Sequence, residues 1–398
     1  MSPRLGRRSL LRGLAAAGGA ALGTRIAGGG AWIGNALAEP EKSAVVVIHF
    51  VGGYNSVFCS ADSFTGNGAF GANAGNVMGL GNGLVVDKGT LGALPPFALQ
   101  HMATIGNRHG STDHAQAILR VWSDGARNYT VRLAAAMGGS APIKCAQIRG
   151  TGVDIPSPAV DGVSIQAVND MGSVIETLVG GDLRSPDRAI AAKAMAASQA
   201  MAQRTVDKNP VRGPILEDGF SASVDALKKV APPFDYRSLP GIYGLQGTAI
   251  QNGFASKLCA AELLIRAGTN VVNVCSENDW DTHGSNGGTE RARMVPVIQQ
   301  LQKFLARVHD PAGLGATHNV VTVLIGDFAR SLPNDDHQAN LSATVIGKYV
   351  KVGTTGKVAA NVGLPAGTPG SNEMWAYVAA VARAQGNPFG ANPHALVL

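Results

Sequence analysis

Residues 44–50, Ala44-Val-Val-Val-Ile-His-Phe50, are apolar and mostly β-branched with no polar alternation. That pattern predicts a strand buried on both faces. Similar runs predict strands over 102–105, 271–275, 319–325 and 341–346. Between them, apolar positions recur at helical spacing over 113–122, 128–137, 187–204, 221–230, 247–267, 289–308 and 372–385. Strands alternating with helices predict an α/β fold with a mainly parallel central sheet and helices on both faces. Residues 65–83, rich in Gly, Asn and Ala without periodicity, predict a long loop. Within it Gly66-Asn-Gly-Ala-Phe-Gly71 has dinucleotide-fingerprint spacing, but no strand feeds it and no helix opens from it, which argues against nucleotide binding.

The first 38 residues differ in kind. Paired arginines in Gly6-Arg7-Arg8-Ser9 precede a weakly apolar Ala/Gly stretch, and Ala36-Leu37-Ala38 offers a small-x-small cleavage site before Glu39. This predicts a twin-arginine signal peptide over 1–38 and one α/β domain over 39–398, exported to the periplasm or beyond. Gly18, Gly19, Gly23 and Arg25 make the leader too polar for a good membrane span, so none is expected after cleavage. Five arginines behind the formal charge of +6 lie in this leader and no acid does, so the remainder is nearly neutral. A nucleic-acid partner is therefore not expected. The four cysteines, Cys59, Cys145, Cys259 and Cys275, form no C-x-x-C motif, and their pairing and the oligomeric state are not fixed by the sequence.

Ligand sites in open α/β sheets gather beyond the carboxyl ends of strands. Asp279-Trp-Asp281-Thr-His283 follows the strand at 271–275, Asp327 follows the one at 319–325 with Asp336-His337 beyond it, and His109-Gly-Ser111-Thr112-Asp113-His114 follows the short strand near 104. Three loops thus each place an acid and an imidazole at one expected edge. Carboxylates with imidazoles form a ligand set for a divalent metal (Zn, Mn, Mg or Ca are the candidates), which can polarise an ester oxygen or activate water. Asp281, His283, Asp327, Asp336, His337 and His114 are the candidate ligands, and Ser111 or Thr112 the candidate nucleophile. Each also has a structural reading: Ser111 or Thr112 as a helix cap, Asp113 at the helix N-terminus, Asp327 in a turn, Asp335-Asp336 at a solvated loop tip. His49 within its strand reads as a core histidine.

Val45-Val-Val-Ile-His-Phe-Val-Gly52-Gly53-Tyr-Asn55-Ser56, Thr112-Asp-His114-Ala-Gln116, Asp281-Thr282-His283, Asp327-Phe328-Ala329-Arg330 and Asp336-His337 together resemble the twin-arginine-exported family catalogued as domain of unknown function 1501. The resemblance covers most of the chain beyond the leader except about 150–245. It implies an alkaline-phosphatase-like core and a metal-dependent hydrolase of phosphate or sulfate esters acting on a small-molecule ester or anionic ligand. Asn55 stands where the family usually has an acid, so this neutral residue takes that ligand position. The alternative implied by such departures is a non-catalytic exported binding or assembly protein with a degenerate metal site.

Overall fold

The computed structural model describes residues 41–54, 60–66, 68–139, 141–148, 157–179, 204, 234–250, 253–276, 279–284, 288–331, 334–361 and 363–398. Residues 1–38, where a signal peptide is expected, Asn55, the region expected to be helical at 221–230 and nearly all of that at 187–204 lie outside these residues.

Ten strands are described: β1 (Lys42–Phe50), β2 (Val77–Gly81), β3 (Leu84–Asp87), β4 (Met102–Asn107), β5 (Cys145–Ile148), β6 (Ile165–Val168), β7 (Val271–Cys275), β8 (His318–Gly326), β9 (Leu341–Ile346) and β10 (Gly353–Thr354). Eight form one sheet in the order β10-β4-β9-β8-β1-β7-β5-β6. β1 lies at its centre, parallel to β8 on one side and to β7 on the other. The longer helices are α1 (His114–Trp122), α2 (Tyr129–Met137), α3 (Met171–Val179), α4 (Phe254–Arg266), α5 (Gly288–Val308) and α6 (Ser371–Val381). None of the described helices is long and apolar enough to cross a membrane.

Alternation along β1 explains the layering. Ala44, Val46, Ile48 and Phe50 enter one core with Leu258 of α4, Leu301 of α5 and Ile175 of α3. Val45 and Val47 enter the opposite core with Val121 of α1, Leu133 of α2 and Trp375 of α6. Successive side chains of a strand point to opposite faces, so a strand covered by helices on both sides needs apolar residues throughout. The molecule is thus an α/β fold with a mostly parallel central sheet and helices on both faces.

The sheet departs from the expected pattern in three places. β9 is antiparallel to β8 and to β4, a choice that apolar content leaves open. Residues 77–81, expected within a loop, instead pair with β3 in a separate two-stranded hairpin. β5 and β6 are four-residue strands, too short for a periodicity signal, and extend the sheet beyond β7. Because β9 reverses direction, β4 runs the same way as β8. The chain leaving β1, β4, β7 and β8 and the chain entering β9 therefore all meet at one edge.

Helices α4 and α5 are joined by a buried charge. Glu262 on α4 accepts hydrogen bonds from Arg266 Nε and Nη2 at 3.0 and 2.8 Å, Arg307 Nε and Nη2 of α5 at 2.7 and 2.8 Å, and the Tyr243 hydroxyl at 2.8 Å. Burial opposes ionisation of Glu262, but the two arginines overcome it and hold its pKa below the ordinary 4.5. Glu262→Gln leaves two guanidiniums facing a neutral amide and should destabilise the protein by about 3 kcal/mol in thermal unfolding. The folded pKa is depressed, so this contribution is complete above pH 4.5 and declines as acid is added below it. The variant's deficit should shrink correspondingly on acidification.

Candidate metal centre

Local sequence sets the position of each side chain. Asp113 caps α1, its carboxylate accepting the Gln116 amide at 2.9 Å, so His114 opens the helix beside the sheet edge. The Ser111 hydroxyl accepts the Asp113 amide at 3.2 Å, a turn within the loop. Beyond β7, Trp280 is fully buried, its ring edge-on to Phe50 with centroids 4.8 Å apart and its Nε1 donating to the Ser276 hydroxyl at 2.6 Å. That anchor places Asp281 at the rim. Between β8 and β9 the chain forms a ladder: Ala329 donates to the Asn340 carbonyl, Gln338 to the Ala329 carbonyl and Ser331 to the Asp336 carbonyl. The ladder folds His337 back over Phe328, ring on ring at 4.2 Å. His114 rests on the same phenyl ring at 4.7 Å.

Three imidazoles converge on one carboxylate. Asp281 Oδ1 lies 3.0 Å from His283 Nε2 and 3.5 Å from the Nε2 atoms of both His114 and His337. His337 Nε2 and His283 Nε2 are 3.2 Å apart. His114, Asp281 and His337 each offer a donor atom within 4.8 Å of the others, the spacing of a potential metal site. Bonds of about 2.0–2.1 Å in a tetrahedron place ligand atoms about 3.3 Å apart, close to four of these separations. Asp281 is 40 % exposed, so the cluster opens to solvent.

Each imidazole has its other nitrogen turned towards an oxygen. His114 Nδ1 meets Asp327 Oδ2 at 2.8 Å, His337 Nδ1 meets the Thr112 carbonyl at 2.8 Å, and His283 Nδ1 faces Asp336 Oδ1 across 3.8 Å. A carbonyl or carboxylate accepts hydrogen bonds, so Nδ1 carries the proton in the first two and Nε2 keeps a lone pair. His114 Nε2 is buried and has no hydrogen-bond partner. That orphaned nitrogen is the polar atom a bound cation would satisfy.

Asp327 stands behind the cluster. It is 1 % exposed, and its Oδ1 accepts from His49 Nε2 at 2.8 Å while its Oδ2 accepts from the Gly52 amide at 3.1 Å and from His114. Burial alone would raise its pKa, but His114 and His49 outweigh that effect and bring it down to about 2. The same hydrogen bond to Asp327 raises the pKa of His114. Gly52 has φ near +102°, and a Cβ there would lie 2.2 Å from the Asp281 nitrogen, so glycine alone permits this approach.

Arg330, fully buried, connects the loops. Its Nη2 donates to the Gly52 carbonyl and to Asp281 Oδ1, the latter at 2.6 Å; Nη1 donates to the carbonyls of Asp335 at 2.7 Å and Thr282 at 3.3 Å. Burial again opposes ionisation at Asp281, and Arg330 reverses it, lowering the Asp281 pKa.

The structure therefore brings Asp281, His114, His283 and His337 together, with Asp327 and Asp336 on the outer side of two of the imidazoles. Thr112 enters through its carbonyl, and Ser111 is engaged with the Asp113 backbone. His49, Gly52, Trp280 and Arg330 are contributors that residue spacing does not reveal. Gly52 follows β1 at the same edge, and for it the signal is the Gly52-Gly53 pair just beyond the strand. Cys145, Cys259 and Cys275 are buried free thiols.

Asp327→Asn should destabilise the metal-free protein by about 2 kcal/mol at neutral pH, the scale of a lost charged hydrogen bond. Because the Asp327 pKa is depressed from 3.8 to about 2, the wild-type advantage is intact above pH 3.8 and fades as the pH falls towards 2. Chemical denaturation of both proteins after chelation, repeated across that interval, measures it. No family model matches the chain, no curated protein matches it, and no match occurs among solved structures.

Proposed function

We propose that this chain is an exported metal-dependent hydrolase of phosphate or sulfate esters, with one divalent ion held by His114, Asp281 and His337 and with His283 beside it. The observation carrying this reading is the convergence of imidazole Nε2 atoms on the Asp281 carboxylate while the Nδ1 atoms of His114 and His337 are bound from behind. Imidazole nitrogens with one carboxylate oxygen favour Zn²⁺, with Mn²⁺ next, over the all-oxygen preferences of Mg²⁺ and Ca²⁺. When bound, such an ion supplies Lewis-acid polarisation of an ester oxygen. The protein's own groups prepare for it: Arg330 keeps Asp281 ionised, Asp327 and the Thr112 carbonyl present lone pairs on His114 and His337, and the half-exposed His283 and Asp281 leave room for a small anionic ester. The placement of the cluster at the carboxyl edge of a mostly parallel sheet supports an alkaline-phosphatase-like core. The paired arginines support export by the twin-arginine route, to the periplasm or beyond.

The second reading is a non-catalytic exported binding or assembly protein in which the site is degenerate. It is favoured by Ser111, whose hydroxyl is bound to the Asp113 backbone rather than to any imidazole of the cluster.

Purified protein should contain about one zinc or manganese per chain by elemental analysis, and should hydrolyse an aryl phosphate or aryl sulfate until a chelator is added. His114→Ala and His337→Ala should each weaken metal binding by at least the ~10–100-fold typical of losing an outer partner, with activity falling in parallel. A folded protein that takes up no metal from a zinc-containing buffer overturns the proposal. Stoichiometric metal with no turnover of either ester class favours the second reading.

A further inference from the structure

The chain of contacts behind His114 is longer than metal binding by the four facing residues requires. His49 is 1 % exposed and lies in β1, next to β8 and in register with Ile325. Its side chain points to the face that carries α1, where its ring meets Trp122 edge-on with centroids 5.4 Å apart. Nε2 reaches Asp327 Oδ1 at 2.8 Å, and Asp327 Oδ2 reaches His114 Nδ1 at 2.8 Å. From a central strand, through the residue after its neighbour, to the first residue of a helix, three elements are linked by two hydrogen bonds. At the far end lies His114 Nε2, buried, without a hydrogen-bond partner and 3.5 Å from Asp281 Oδ1.

We infer that His49 is a positioning residue which acts through Asp327 to fix the ring orientation and tautomer of His114 for metal binding; this rests on the metal-site reading above. An ionised carboxylate only accepts, so both imidazoles must present N–H to Asp327, and His114 is left with its lone pair on Nε2. The His49 donor holds Asp327 Oδ1, while the Gly52 amide shares Oδ2 with His114. Two donors converging on a buried carboxylate fix its plane, and the plane determines where the His114 ring points. Without His49, Asp327 loses its second imidazole donor where the carboxylate is buried, and it can rotate. Rotation releases the His114 ring. A plain structural ion pair would predict something different: loss of His49 would lower stability without a specific effect on the metal.

The test uses the full chain, stripped of metal by chelation and titrated with Co²⁺, whose visible absorption reports coordination geometry, and separately with Zn²⁺ in competition with a chromophoric chelator. His49→Phe keeps the ring volume and removes the donor. His49→Gln restores an N–H near the same position. His49→Asn, whose shorter amide cannot reach Asp327, substitutes for His49→Phe if that variant does not fold. Glu262→Gln, remote from the cluster, serves as a destabilised control with an intact site. Wild-type protein is expected to bind one Co²⁺ with visible bands. His49→Phe should bind it about 10–100-fold more weakly, as loss of an outer-shell partner does, with shifted bands. His49→Gln should recover most of the affinity, and Glu262→Gln should lower the melting temperature and leave affinity and spectrum unchanged. If His49→Phe retains wild-type affinity and spectrum, or if Glu262→Gln weakens binding as much, the positioning role is wrong while the metal site stands. If the wild-type protein binds neither ion, the metal reading fails and the positioning role falls with it.

Discussion

A single guanidinium governs how this sheet edge closes. Arg330 is fully buried, and its Nη1 and Nη2 groups meet carbonyls of Gly52, Thr282 and Asp335 and the carboxylate of Asp281. Arginine does not lose its proton inside a protein, so a buried one must find acceptors or cost several kcal/mol. The acceptors come from the segments that follow β1, β7 and β8. None of those segments can move outward without stripping a bond from a charge that has no water to turn to. The edge is consequently held by electrostatics where it lacks an apolar core, and the exposed imidazoles sit on a rigid base.

Around that base the polar groups are ordered in tiers. Asp281 faces solvent and is anchored by Arg330. The histidines surround it, and behind them lie acceptors that choose which nitrogen points forward. Asp327 is the most deeply set of these, buried, ionised and shared by two imidazoles and a backbone amide. Charges in such a setting are tolerated because every lone pair that matters has a donor. Phe328 adds a flat apolar floor under His114 and His337, limiting how far either ring can tilt.

Much of the scaffold was legible in the chain. Runs rich in β-branched residues at 44–50 and 319–325 specify strands covered on both faces, and acids and imidazoles just beyond strand ends indicate which edge to inspect. What could not be read depends on long-range geometry. The reversal of β9 is invisible because Leu341–Ile346, Leu-Ser-Ala-Thr-Val-Ile and buried throughout, serves either direction. His49 looks like a core residue since its neighbours are all apolar, and only pairing with β8 brings Asp327 within reach. Arg330 stands in the sequence only as the end of Asp327-Phe328-Ala329-Arg330, and its spacing says nothing of the four acceptors that enclose it. Asp327 and Asp281 are indistinguishable as letters; burial separates the inner carboxylate from the outer one.

The reversed strand carries one more implication. A parallel neighbour after β8 would have required a crossover carrying the chain to the opposite rim, so Asp327 and His337 would have belonged to different segments set by helix packing. Because β9 doubles back immediately, both residues ride on one hairpin stem whose rungs are backbone hydrogen bonds. The separation between inner acid and outer imidazole is therefore gauged by peptide geometry, and drift or repacking among the surrounding helices can shift the whole stem without altering that internal measure.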